Sequence, residues 1–219
     1  MDRETRDTRL RAVPPTDPRH VVQEAALLVA VALLLFLGYQ DWGKAATIGD
    51  RQSALDRELR ARWDGSATAG AALPGRLHIP ALELRLVVVE GVDRADLDHA
   101  PGHYPRSAAP GERGNTAIAG NRTKGLFRDL DELRTGDPMV FETATEWLVY
   151  AVHEVRIAHR ADADALAPVP DLPGEIPKTS VLTLTTSAPK RDPEHRTVVH
   201  GALVEKRSKT EGPPAQLDR

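Results

Sequence analysis

The sequence contains no cysteine. That absence excludes a disulfide framework, a thiolate metal site and a thiol nucleophile. Aromatic residues are scarce, at 4% of 219 residues, and basic and acidic side chains are interspersed for a formal net charge of −3. With no basic stripe and no aromatics interleaved in one, nucleic-acid binding has no support. No cofactor is implied, and no metal. Asp162 and Asp164 stand in an Ala-rich stretch without the ligand spacing of a calcium loop. The length suits one core-bearing domain with appendages.

What is present begins with a polar, Arg-rich stretch over 1–20, broken by Pro14, Pro15 and Pro18. It has too little apolar surface to offset the entropy of ordering and reads as a disordered cytoplasmic tail. Residues 21–39 are the most apolar stretch, with VALLLFLG at the centre. Nineteen helical residues span about 28 Å, close to a hydrocarbon core of about 30 Å. Glu24 can reach one interface, and Tyr39 and Trp42 suit the aromatic belt at the other. The competing reading is a cleaved signal peptide, since the strictly apolar part, 25–37, is short. A long, partly acidic leader and a poor cleavage site favour an uncleaved single-pass anchor. Arg3, Arg6, Arg9, Arg11 and Arg19 precede the span, while Lys44, Arg51 and Arg57 follow it, which places the N-terminus in the cytoplasm and the rest outside.

Beyond the anchor, 40–75 reads as a stalk helix and linker. Leu55, Leu59 and Trp63 form a thin apolar stripe on the helix, and 65–75 is small and flexible. Residues 76–205 hold the folded domain. Short strands separated by Gly and Pro turns argue for a mostly β barrel or sandwich. The candidate strands are 76–79, 85–90, 116–119, 138–142, 147–158, 181–186 and 197–204. Alternation changes parity near His153 and Glu154, which predicts a bulge. Leu126, Leu130 and Leu133 predict one face of a short helix, with Asp129, Asp131 and Glu132 as its solvated face. Residues 206–219 read as a second disordered tail.

Four segments occur in a specific order: LHIPALELRLVVVEGV (77–92), APGHYPRSAAPGERGNTAIAGNRT (100–123), FRDLDELRTGDPMVFET (127–143) and TLTTSAPKRDPEHRTVVHGALV (183–204). Together they resemble the class E sortases of high-GC Gram-positive bacteria. The resemblance implies an eight-stranded β-barrel with short helices, held at the membrane by the preceding helix. It also implies a cysteine transpeptidase that cleaves a sorting signal between Thr and Gly and joins the acyl group to a cell-wall or pilin amine. The family uses a cysteine in TLxTC, a histidine in AGHRT and an arginine before the last strand. Carried onto this chain, the arginine falls on Arg196, the TLxT residues are Thr183, Leu184, Thr185 and Thr186, the cysteine position holds Ser187 and the histidine position holds Asn121. Tyr104, Thr186 and Arg196 are candidate peptide-binding residues.

The two replacements reinforce each other. A serine hydroxyl is a weak nucleophile unless a base takes its proton. An asparagine amide does not titrate, so it can neither accept that proton nor return one to a departing amine. The first expectation is therefore a catalytically impaired sortase-like protein that binds a sorting-signal peptide or surface protein, or modulates an active sortase. The alternative is a transpeptidase, present as a natural serine variant or an engineered inactive form. A third reading is a surface body with no site. His78, His99, His103, His153, His159, His195 and His200 are the histidines available to rescue Ser187. His200 alternates with Val199 in a strand and reads as structural, and His103 as a loop-ordering residue. Asn121 reads as a turn-holding amide. Arg196 reads equally as a ligand-binding residue or as the ion-pair partner of Glu194.

Overall fold

A computed structural model of the protein describes residues 18–66, 73–189 and 192–218. The chain divides into two compact units, Met1–Trp42 and Gly43–Arg219. The expected tail over 1–20 falls almost wholly outside the described residues, as do the side chains of 34–39. Helix α1, Pro18–Trp63, is continuous, so the segments expected as anchor and stalk belong to one element. In the first unit its described side chains Leu27, Leu28, Val29, Val31 and Leu33 are exposed. Among the described residues, no helix is long and apolar enough to cross a membrane.

The second unit is built on eight strands. These are β1 Gly75–Ile79, β2 Leu84–Glu90, β3 Gly102–His103, β4 Gly114–Ala119, β5 Pro138–Glu142, β6 Glu146–His159, β7 Ser180–Ser187 and β8 His195–Ser208. They close into a barrel in the order β1-β2-β3-β4-β7-β8-β6-β5. Closure leaves no sheet edge. Strand alternation fills the interior with Leu77, Ile118, Phe141, Tyr150, Leu182 and Val199. The C-terminal end of α1 covers the outside of β2. Leu55 and Leu59 are buried there with Val87, Val89 and Ala100. Gln52 secures the contact, donating to the Val87 carbonyl at 3.3 Å and accepting from the Val87 amide at 2.7 Å.

The seven expected strands are present, most of them a residue or more longer than the pattern suggested. The register of β6 on β8 slips between Val152 and Glu154, where the parity change lies, and again between Val149 and Tyr150. Strand β3 was not expected, because two residues carry no periodicity. The segment expected as a short helix is mostly loop. Leu126, Leu130 and Leu133 are buried, but only Leu130–Glu132 forms a 3-10 turn. Asp129 (φ −109°, ψ 25°) and Leu133 (φ −62°, ψ 147°) bound that turn in non-helical conformations, so it does not propagate. The expected C-terminal tail is also corrected. Strand β8 runs to Ser208, and 3-10 turns follow at Lys209–Glu211 and Ala215–Leu217. Lys209 Nζ ties this segment back, 2.8 Å from a Glu142 carboxylate oxygen and 3.6 Å above the Trp63 ring centroid.

Candidate active site

Three neighbouring strands bring the candidate residues to one rim of the barrel. β4 and β7 are parallel, from Gly114 opposite Ser180 to Ala119 opposite Thr185. Their C-terminal ends therefore meet at the same rim. The Gly120 amide extends this ladder, donating to the Thr185 carbonyl at 2.9 Å. Asn121 and Ser187 come next on the two chains. β8 runs antiparallel to β7, so its first residues arrive at that rim, with Arg196 opposite Ser187 and Thr197 opposite Thr186. A cavity of about 210 Å³ lies there, lined by all five sequence candidates: Tyr104, Asn121, Thr186, Ser187 and Arg196.

Each member has a local cause. Gly120 precedes Asn121 because a Cβ at that position would stand 2.5 Å from a ring carbon of buried Phe127. The Asn121 carbonyl, not its amide group, holds the following turn by accepting from the Thr123 and Phe127 amides at 2.9 and 3.1 Å. Its side chain is left lining the cavity. Ser187 is exposed at the strand end. Its carbonyl accepts from Arg122 Nη1 at 3.4 Å, while Arg122 Nη2 pairs with the Asp131 carboxylate. Asp131, expected to be merely solvated, thus anchors the arginine that braces the Ser187 strand. Arg196 forms no ion pair with Glu194, or with any carboxylate among the described residues. Its Nη2 donates to the main-chain carbonyl of Asp162. Arg196 Nε and Thr186 Oγ1 are buried and make no hydrogen bond within the described protein.

His103 orders the loop beside Tyr104, as its motif suggested. Its Nδ1 lies 2.9 Å from the Glu90 carboxylate and its Nε2 3.0 Å from the Ala108 carbonyl. Sequence reasoning passed over the cavity-lining Arg160 and named His195 only among the seven histidines available to rescue Ser187. His195 Nδ1 meets Asp192 Oδ2 at 2.8 Å, and its ring stands edge-on to His159 at 5.5 Å between centroids. The Glu194 amide first, then His195, holds the Asp192 carboxyl below its ordinary range. The D-x-x-H spacing in DPEH was the signal for that pair. No hydrogen bond joins His195 to Ser187 among the described residues.

Residues 77–204 match the Sortase domain family. The chain belongs to the sortase family. It is 31% identical over 211 residues to Sortase SrtE1 of Streptomyces coelicolor, a match covering 90% of this chain and 60% of that protein. The chain therefore spans less than two thirds of that relative. Sortase SrtE2 of the same organism is 28% identical over 222 residues, covering 90% of this chain and 87% of the relative. Among solved structures, SrtA sortase from Actinomyces oris superposes with a TM-score of 0.63 at 30% identity, over 68% of this chain and 90% of that one. Sortase E1 from Streptomyces coelicolor, crystallised with a tripeptide in its active site, gives a TM-score of 0.62 at 31% identity, over 69% and 99%. The fold is thus the eight-stranded sortase barrel, and the two Streptomyces relatives are class E sortases.

Proposed function

We propose that this protein holds a sorting-signal peptide at the barrel rim without completing the transpeptidation of its family. One juxtaposition supports the reading. Asn121 and Ser187 stand at the ends of paired strands, at the positions of proton transfer and nucleophilic attack, while the peptide-facing polar groups beside them are retained. Thr186 Oγ1 and Arg196 Nε are buried and unpaired within the described protein, so each is a donor whose unmet hydrogen bond a peptide carbonyl would satisfy if binding exposed it. The exposed apolar side chains of 27–33 support attachment of α1 to a membrane, and the arginines preceding the span support a barrel outside the cell. Calorimetry of the full chain with LPxTG- and LAxTG-type peptides tests the binding. Saturable heat whose affinity falls about tenfold in Arg196→Ala supports it, and no heat from either peptide type defeats it.

A serine-based enzyme is the second reading, favoured by the Asp192–His195 pair in the same cavity as Ser187. Such a pair could orient His195 as a base if its other nitrogen reached the hydroxyl. Incubation with a quenched sorting peptide and a glycine acceptor separates the readings. Turnover that disappears in Ser187→Ala and in His195→Gln would establish the enzyme. Silence supports the binding protein.

A further inference from the structure

On the outer face of the barrel, away from the rim cavity, a chain of hydrogen bonds fixes the protonation of one buried histidine. Asn115 Nδ2 donates to the carbonyls of Ala165 and Ala167, at 3.4 and 3.0 Å. That sets its amide orientation, so Asn115 Oδ1 accepts from Thr183 Oγ1 at 2.6 Å. The Thr183 hydroxyl proton is spent there. Its oxygen therefore accepts from His200 Nδ1 at 2.8 Å. The neutral imidazole then carries its lone pair on Nε2. His200 is fully buried, and Nε2 has no hydrogen-bond partner among the described residues. It points to Asp171 Oδ2 at 3.8 Å, an acceptor facing an acceptor with no proton between them.

Glu154 completes the group. The slip in β6 after Val152 makes Glu154 the direct cross-strand partner of His200. A bulge re-aims side chains in this way. One ligand atom each from Glu154, Asp171 and His200 lies within 4.8 Å of the others. Arg156 is the cation in contact with these carboxylates, and it serves three of them: Glu154 at 3.7 Å, Asp162 at 3.3 Å and Asp171. Its bond to Asp171 uses Oδ1 and leaves Oδ2 turned to His200. Asp171 itself sits at φ 61° in the segment joining β6 and β7. Burial is the main cause that pushes the His200 ring down to about 4, so it is neutral at physiological pH.

We propose that Glu154, Asp171 and His200 form a binding site for a divalent transition-metal cation of the zinc class. One imidazole nitrogen and two carboxylates are the donor types zinc accepts, and three protein ligands leave a fourth position for water. Calcium fits poorly, because it takes six to eight oxygen ligands. Ligand atoms on a tetrahedral zinc lie about 3.4 Å apart, so the group must contract, and the part-exposed Glu154 and exposed Asp171 side chains can rotate inward. The Thr183–Asn115 relay acts on His200 as an outer shell that orients a ligand and fixes its tautomer. Metal binding would tie the β6–β7 segment to β6 and to β8, the strand that carries Arg196.

The test is equilibrium dialysis of the tag-free full chain against zinc chloride, with cobalt chloride as a spectroscopic probe. The expected result is one zinc per chain and a visible cobalt band displaced by zinc. Asp171→Asn, in an exposed loop, should keep the fold by circular dichroism and weaken zinc binding about tenfold or more. Glu154→Gln should act alike, and zinc should raise the melting temperature of the natural chain only. No zinc uptake, uptake unchanged in Asp171→Asn and Glu154→Gln, or calcium bound in preference to zinc would each overturn the proposal.

Discussion

Arg196 donates to the main-chain carbonyl of Asp162, which lies between β6 and β7. A carbonyl orients a guanidinium without neutralising it. The side chain is thus aimed by the fold while its charge is kept for a ligand. Arg196→Ala should therefore weaken sorting-peptide binding by about tenfold, the size of one hydrogen bond to a charged group. Arg196→Lys should recover only part of it, because an ammonium lacks the planar fork. Calorimetry with one peptide across the three chains measures this.

The double change Asn121→His with Ser187→Cys should restore hydroxylamine-dependent peptide cleavage. Either change alone should stay near background, since nucleophile and proton carrier act as a unit. A quenched peptide reports all three variants. Both sites lie at the rim, and neither is among the buried core residues, so the fold should tolerate the exchange.

Much of this architecture was legible in the residues, and the part that was not has a common cause. Seven strands follow from alternation, and the parity change at His153 and Glu154 marked one β6 bulge. Asn121, Ser187 and Arg196 were placed by motif, and the parallel pairing of β4 with β7 explains why they meet. Pattern reading failed where backbone groups are spent on distant partners. Leu126, Leu130 and Leu133 are buried at helical spacing, yet non-helical Asp129 and Leu133 confine the helix to a single 3-10 turn. The 206–219 segment looked unstructured because its order comes from Trp63 and Glu142, far away in sequence. The Glu154–Asp171–His200 group was invisible for the same reason.

Glu142 predicts acid sensitivity. Burial works to raise its carboxyl, but hydrogen bonds from His78 and Lys209 and the charge of Arg76 outweigh that and bring it from 4.5 to about 2. Between those values the unfolded chain binds the extra proton, so this stabilisation is full above about pH 4.5 and is lost as pH falls toward 2. Glu142→Gln should flatten that window in circular-dichroism acid titrations. It should also cost about 3 kcal/mol at neutral pH, because buried Arg76 loses a partner.

Gly120→Ala should destabilise the barrel by about 1–3 kcal/mol through overpacking against Phe127. Pairing it with Phe127→Leu should recover part of the loss. Denaturant midpoints of the two chains decide whether the ring is the obstacle.

The placement of Asn121 and Ser187 outside the core has a consequence for descent. Ser187 is exposed and Asn121 half-buried, and surface substitutions usually change stability by only about 0.5 kcal/mol either way. A lineage could therefore lose the reaction, or regain it, in two substitutions without passing through a poorly folded intermediate. Cleavage restored by that double change would make chemistry in this barrel a reversible trait, a short mutational distance from activity on a fold inherited intact.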